Sequence, residues 1–242
     1  MAAIMGIINL TPDSFFPDSR CSVQDAAARI ARMLDDGADI IDIGAVSTRP
    51  GAGDVGTEEE WRRLSPVLPM LEGVRFSVDT TSAEIVRRVF REAGPFIVND
   101  ISAGEDDSEM LPAVAGLGLE YVAMHKRGNP RTMDSLCSYP RGVVAELAGY
   151  FQNFADRAEA LGIRNWVLDP GFGFAKTEEQ NLELLERLGE FKAFGRPILV
   201  GIADKRFTHG ETEKYHRIAL RNGADILRVH DVAAAKKLAV MG

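Results

Sequence analysis

Asp79, Asn99 and Asp169 each stand at or just past the end of a short apolar run. Together they offer carboxylate acceptors and an amide that both donates and accepts. That inventory suits the edge of a flat heterocycle with adjacent N–H donors and a carbonyl, such as an aminopyrimidinone, because each edge group finds a complementary partner. Metal ligation is the rival use of two carboxylates, but no His or Cys accompanies them at ligand spacing. Such residues can also do no more than cap the next helix. At Asp79 the following helix has Thr81 as its expected N-cap, which leaves the carboxylate for a ligand. Asp169 precedes Pro170, which has no N–H, and Gly171 and Gly173, which let a tight loop approach a ligand closely.

Positive charge comes from Arg49, Lys205, Arg228 and His230. Arg49 lies in Ser47-Thr48-Arg49-Pro50-Gly51, while Arg228 and His230 are two residues apart and so project to one side of a strand. This set suits phosphate; the structural alternative is a salt bridge from Arg228 to Asp225 or Asp231. Asn9 and the Thr11-Pro12-Asp13-Ser14 loop carry oxygens able to orient Mg²⁺ against such a phosphate. His125 reads equally as a group at the pocket mouth or as a hydrogen-bonded structural histidine, and His209 and His216 are weaker candidates. Trp61 and Trp166 read as packing residues, and Arg29, Arg32, Arg62 and Arg63 as solvated helix faces.

The elements that must hold these groups are legible in the alternation of the chain. Apolar runs at residues 4–8, 40–43, 76–78, 96–98, 121–124, 166–168, 198–200 and 226–229 give eight candidate strands. Segments 24–36, 58–71, 82–93, 143–161 and 180–188 lie between them with apolar positions at helical spacing. The capping-box pairs Thr57 with Glu60, Thr81 with Glu84 and Thr177 with Gln180 mark helix starts. Gly37, Gly94 and Gly162 fall just past helix ends. The alternation predicts a parallel sheet, and 242 residues suit one (β/α)₈ TIM barrel over 1–242 better than an open doubly wound sheet. The residues at or past the strand ends are then Asn9, Gly44, Asp79, Asn99 with Asp100, His125, Asp169, Gly201, and Arg228 with His230, all on one face.

A formal charge of −8 argues against nucleic acid or an anionic membrane as partner. Cys21 and Cys137 are far apart, which fits a reducing cytoplasm rather than a disulfide framework or a zinc site. The start Met1-Ala2-Ala3-Ile4-Met5 lacks the basic residues of a signal peptide, and no apolar run approaches the roughly 18 residues of a membrane span.

Taken as a set, these residues resemble dihydropteroate synthase, over almost the whole chain. The resemblance is carried by the tract from Met5 to Phe15, by Asp42-Ile43-Gly44 with the loop from Ser47 to Gly51, and by the tract from Asn99 to Gly104. Leu168 to Lys176 and Arg228 to Val232 complete it. It implies condensation of 6-hydroxymethyl-7,8-dihydropterin diphosphate with 4-aminobenzoate, releasing diphosphate and 7,8-dihydropteroate. Carried over by position, Asp79, Asn99, Asp169 and Lys205 would hold the pterin, with Ile101, Met124 and Phe174 against its ring. Asn9, Thr48, Arg49, Arg228 and His230 would receive the diphosphate, with Asn9 on Mg²⁺, and Asp13 and Asp18 would steady the cationic intermediate. Phe15, Thr48, Pro50, Phe174 and Arg206 would enclose the aminobenzoate. The resemblance also implies sulfonamides as competitors and a homodimer built from the last helices.

Three departures stand out. The family's Ser-Arg-Lys after strand seven reads Ala203-Asp204-Lys205, replacing a hydroxyl and a cation by a methyl and an anion. The first loop's second acid is displaced to Asp18. The stretch from Phe207 to Tyr215 is short, so either helix seven is trimmed or residues are absent from the sequence. A catalytically idle pterin-binding paralogue is the alternative, supported by Ala203-Asp204. A pterin-dependent methyltransferase is disfavoured by the Thr11-to-Phe15 loop.

Overall fold

The computed structural model describes residues 1–10, 23–46, 55–129, 132–203 and 205–241. The strands are β1 (Ala3–Asn9), β2 (Ile40–Gly44), β3 (Phe76–Asp79), β4 (Ile97–Asp100), β5 (Glu120–Met124), β6 (Trp166–Asp169), β7 (Leu199–Val200) and β8 (Ile226–Val229). Alternating with them are α1 (Val23–Asp35), α2 (Thr57–Leu64), α3 (Ala83–Ala93), α4 (Met110–Leu117), α5 (Val143–Leu161), α6 (Glu178–Glu186), α7 (Thr212–Arg221) and α8 (Val232–Met241). Every strand pair is parallel, in the order β6-β5-β4-β3-β2-β1-β8-β7. Between β6 and β7 the ring is joined by the parallel bridge of Leu168 to Ile198, where the Leu168 N–H donates to the Pro197 carbonyl at 2.9 Å. This is the (β/α)₈ barrel that the alternation predicts.

Strand side chains alternate between the two faces of a sheet, and in a closed sheet those faces become the barrel interior and the helix layer. Met5, Ile40, Ile97, Val122, Val167, Leu199 and Ile226 form one buried apolar cluster in the interior. Their neighbours of opposite parity, among them Ile4, Ile41, Val98, Tyr121, Trp166, Val200 and Leu227, join the larger core beneath the helices. The interior cluster is a floor. Two or four residues further along the same strands, at the same parity, stand the polar groups described below.

Several element boundaries differ from the pattern in the sequence. The segment 58–71 is not one helix: Ser65 still has helical geometry and its N–H donates to the Trp61 carbonyl at 2.9 Å, but Pro66 has no N–H to continue the ladder, so α2 stops at Leu64 and a 3₁₀ turn resumes over Leu68–Leu71. Thr57 is the first residue of α2 rather than its cap, with Gly56 in the capping place. Ser82, not Thr81, caps α3, its hydroxyl accepting from the Ile85 N–H at 3.4 Å. The box at α6 is as expected: Thr177 accepts from the Gln180 N–H at 3.3 Å, and Gln180 Oε1 accepts from the Thr177 N–H at 2.9 Å. The short connection after Phe207 leaves only His209, Gly210 and Glu211 between a 3₁₀ turn and a ten-residue α7. No helix among the described residues is long and apolar enough to cross a membrane.

Candidate active site

Register sets the geometry at the C-terminal ends of the strands. Asn9 pairs with Gly44, Gly44 with Asp79, and Asp79 with Asn99, a continuous row across β1 to β4. A Cβ at Gly44 would stand 3.4 Å from Asp79 Cβ and 3.6 Å from Asn9 Oδ1. The bare glycine therefore lets an amide and a carboxylate face each other over the strand between them. On the far side of the ring Met124 pairs with Asp169.

The carboxylate of Asp79, expected to stand free for a ligand, is instead paired. Arg228 reaches from β8 and donates from Nη2 to Asp79 Oδ2 at 2.8 Å and from Nε to Asp42 Oδ2 at 2.7 Å. The alternative partners suggested by sequence are engaged elsewhere. Asp225 accepts from the Ile198 N–H and from Lys192, and Asp231 from the Ala234 N–H at the start of α8. Asp42 Oδ1 also accepts from the Ser77 hydroxyl, and Asn99 Nδ2 reaches both Asp42 oxygens at 3.3 and 3.4 Å. A guanidinium this far withdrawn from solvent needs a counter-charge, and here two carboxylates share one half-buried cation. The excess negative charge falls on Asp79, whose carboxyl burial pushes up to about 7, with Arg228 pulling against it and Asp42, Glu60 and Asp100 adding to the rise.

Asp169 occupies the other half of the mouth. Its Oδ1 accepts from the Gly171 N–H at 2.8 Å, so it organises its own loop as well as facing the pocket. Gly171 has φ +67°, and a Cβ there would lie 2.0 Å from the His125 carbonyl oxygen. The glycine is thus required by close approach to backbone, a different use from the ligand approach expected of it. Burial raises Asp169 to about 6, against the pull of the Gly171 N–H, Arg228, Lys205 and Lys176. Lys176 is itself buried, its Nζ donating to the Gly171 and Phe174 carbonyls at 2.9 Å each and lying 3.0 Å from His125 Nδ1. Burial lowers it to about 7, and lowers His125 to about 2. His125 is therefore neutral and accepts at Nδ1. It is the structural histidine of the two readings, packed edge-on to Tyr150.

Lys205 Nζ lies 4.5 Å from the centroid of the Phe174 ring, and its chain fills the space above Gly173, where a Cβ would meet Lys205 Cδ at 3.1 Å. Met124 is buried and Ile101 half-buried. Ile101 opens a turn whose shape Asp100 fixes by accepting from the Ser102 N–H and hydroxyl, the Gly104 N–H and the Tyr121 hydroxyl. Asn9 ends β1, and His230 follows β8, half-buried. Arg206 is exposed, one residue past Lys205, and no described contact joins it to the strand-end groups. Asp13, Phe15, Asp18, Thr48, Arg49 and Pro50 lie outside the described residues. Of the arginines read as solvated, two depart: Arg29 is half-buried with its Nη1 shielded from water, and Arg63 is largely buried and donates to the Ala45 carbonyl at 2.9 Å.

Three polar groups were not marked out by their place at a strand end. Asp42 and Ser77 sit inside apolar runs, and Lys176 closes a loop; the available signal was an acidic residue at inward parity within Ile40-Ile41-Asp42-Ile43.

Residues 5–230 match the family model described as pterin binding enzyme. The dihydropteroate synthase of Synechocystis is 39% identical over 97% of this chain and 87% of its own length. The chain belongs to the dihydropteroate synthase family of pterin-binding enzymes. Among solved structures of the family, the Yersinia pestis dihydropteroate synthase in complex with a sulfonamide drug superposes with a TM-score of 0.92 at 35% identity, over 99% of this chain and 92% of that one. The Xanthomonas albilineans enzyme with 4-aminobenzoic acid gives 0.88 at 37% identity, over the same shares of the two chains. Membership makes this chain a transferase, and the polar row stands at the C-terminal ends of its strands.

Proposed function

We propose that this protein condenses 6-hydroxymethyl-7,8-dihydropterin diphosphate with 4-aminobenzoate to give 7,8-dihydropteroate and diphosphate. The observation that carries the reading is the set of acceptors at the mouth of a barrel of this family, Asn99 and Asp169 buried and Asp79 half-buried. Water satisfies such groups poorly there, and a pterin edge brings the N–H donors they need. Met124 and Ile101 pack the ring, and Lys205 with Phe174 closes one side. Arg228 and His230 meet the diphosphate with Asn9, joined by Thr48 and Arg49. Phe15, Thr48, Pro50, Phe174 and Arg206 receive the aminobenzoate.

In the reaction the methylene C–O bond breaks and its electron pair leaves on diphosphate. The aryl amine lone pair then forms the C–N bond and the amine releases a proton to solvent. Such a route needs stabilisation of the leaving charge more than a strong base, which suits the Arg228 guanidinium on β8. Mg²⁺ fits the donor set. Asn9 Oδ1 is turned over the bare Gly44, and magnesium characteristically takes one or two protein oxygens with the rest from water and substrate phosphate. When bound, the ion would neutralise developing charge on the leaving group.

Incubation with both substrates and Mg²⁺, with diphosphate and dihydropteroate quantified, tests the proposal. Tight pterin binding without diphosphate release would favour the idle paralogue to which Ala203-Asp204 points. A homodimer through the last helices and a cytoplasmic location complete the reading; sedimentation equilibrium tests the first.

A further inference from the structure

Asp42 lies one step below the row of strand-end groups, its side chain wholly buried. It pairs in register with Ile7 and Ser77, not with any residue of the rim. Yet its two oxygens touch both halves of the site. One accepts from Ser77 and shares the long bond from Asn99 Nδ2, and the other takes Arg228 Nε.

A carboxylate has no proton to give, so the Asn99 amide must turn its nitrogen down to Asp42 and its carbonyl oxygen away. The same carboxylate holds the Nε and Nη2 edge of Arg228, and Nη1 takes no part in these bonds. We propose that Asp42 is a positioning residue that sets the amide of Asn99 to accept from the heterocycle and aims Arg228 Nη1 at the leaving group. One buried group thereby fixes both ligand recognition and the cation that acts on the departing charge. Asp42 touches no reacting atom. The inference rests on the reading that Asn99 meets the pterin and Arg228 the diphosphate.

With Asn at position 42 the charge on Arg228 loses a partner, and the two facing amides have no fixed orientation. Asn99 then presents an N–H to the ligand's N–H in part of the population.

The test is a pair of double-mutant cycles. The affinity for 6-hydroxymethyl-7,8-dihydropterin diphosphate is measured by calorimetry in the parent, Asp42→Asn, Asn99→Ala and the double variant. The rate constant of diphosphate release is measured in the corresponding cycle with Arg228→Ala. Thermal unfolding of each variant reports folding separately. Asp42→Asn should weaken pterin binding and slow release by about tenfold each. On the Asn99→Ala or Arg228→Ala background it should cost far less, about twofold, since its effect passes through those residues. Additive effects in both cycles, or parent-like binding and release in Asp42→Asn, would overturn the proposal.

Should Asp42→Asn fail to fold, Ser77→Ala carries the test. It removes one donor from Asp42 Oδ1 and should weaken pterin binding about threefold in the parent but not on Asn99→Ala. Equal losses on both backgrounds would overturn the proposal. Asn99→Ala and Arg228→Ala behaving like the parent would instead sink the site assignment, and the role of Asp42 with it.

Discussion

Replacing Asp169 by Asn should stabilise the folded protein at pH 8 while destroying its affinity for pterin. Asp169 is 6% exposed, and burial moves its carboxyl from the ordinary 3.8 to about 6. Each tenfold change in proton affinity is about 1.4 kcal/mol, so burying the ionised form costs about 3 kcal/mol at pH 8 relative to the protonated one. For an acid whose folded pKa is raised, the folded state binds the extra proton. The contribution is full below about pH 4, and is lost as pH rises through 6. Asn is isosteric and keeps the carbonyl oxygen that accepts from the Gly171 N–H, the one hydrogen bond of this side chain among the described residues. It carries no charge to bury. Urea unfolding at pH 5 and pH 8, with both proteins in the same buffers, gives the difference directly. The Asp169→Asn variant should be about 3 kcal/mol more stable than the parent at pH 8 and about 1.5 kcal/mol more stable at pH 5, an advantage that grows with pH as the parent's carboxyl ionises, with pterin affinity down about tenfold or more. A variant destabilised equally at both pH values would refute the reasoning, because the carboxylate would then be a structural member of its loop and not a charge held for a ligand.

Gly171→Ala should cost more than about 3 kcal/mol and disorganise the Asp169 loop, since its Cβ would lie 2.0 Å from a backbone oxygen that cannot move aside; chemical unfolding checks this. Ala175 sits at φ +50°, so Ala175→Gly should raise stability by about 0.5–1 kcal/mol, measured as an upward shift in Tm; an unchanged or lower Tm refutes it. Diphosphate release should stop in excess chelator and fall about tenfold or more in Asn9→Ala; full turnover in chelator would refute the metal role. Ala203→Ser with Asp204→Arg should lower the aminobenzoate KM and leave pterin affinity alone, because an arginine meets a carboxylate by charge-assisted bonds worth about 1.5–3 kcal/mol where an aspartate repels it; a KM that stays or rises points to Arg206 instead.

The barrel was legible because its signal is redundant. Eight apolar runs separated by amphipathic segments leave few topologies, and a misjudged boundary such as the break at Pro66 changes none of them. The strand-end groups were legible for a related reason: a polar residue at the close of an apolar run has few places to go in a parallel barrel. What the sequence could not give is which of those groups are spoken for. Asp79 looks free when only its own helix cap is considered, and Thr81 is not even the cap. Its partner arrives from β8, 149 positions later, and nothing local announces the pairing.

Asp42 carries the point further. Periodicity places it facing inward, yet an acid inside an apolar strand is normally excluded by the cost of burying it. That cost is met only by long-range partners, Ser77 from the next strand, Asn99 from the one after, and Arg228 from β8 on the other side of β1. Each is polar and inward-facing, and each would be costly in the barrel without the others. Asn99 without Asp42 would have a loose amide, and Arg228 would be a half-buried cation leaning on Asp79 alone. The four therefore stand or fall as a unit, and removing one should not be read as the loss of one contact. Ligand specificity at the rim is in this sense set one layer below it, by a residue whose only visible mark in the sequence is that it ought not to be there.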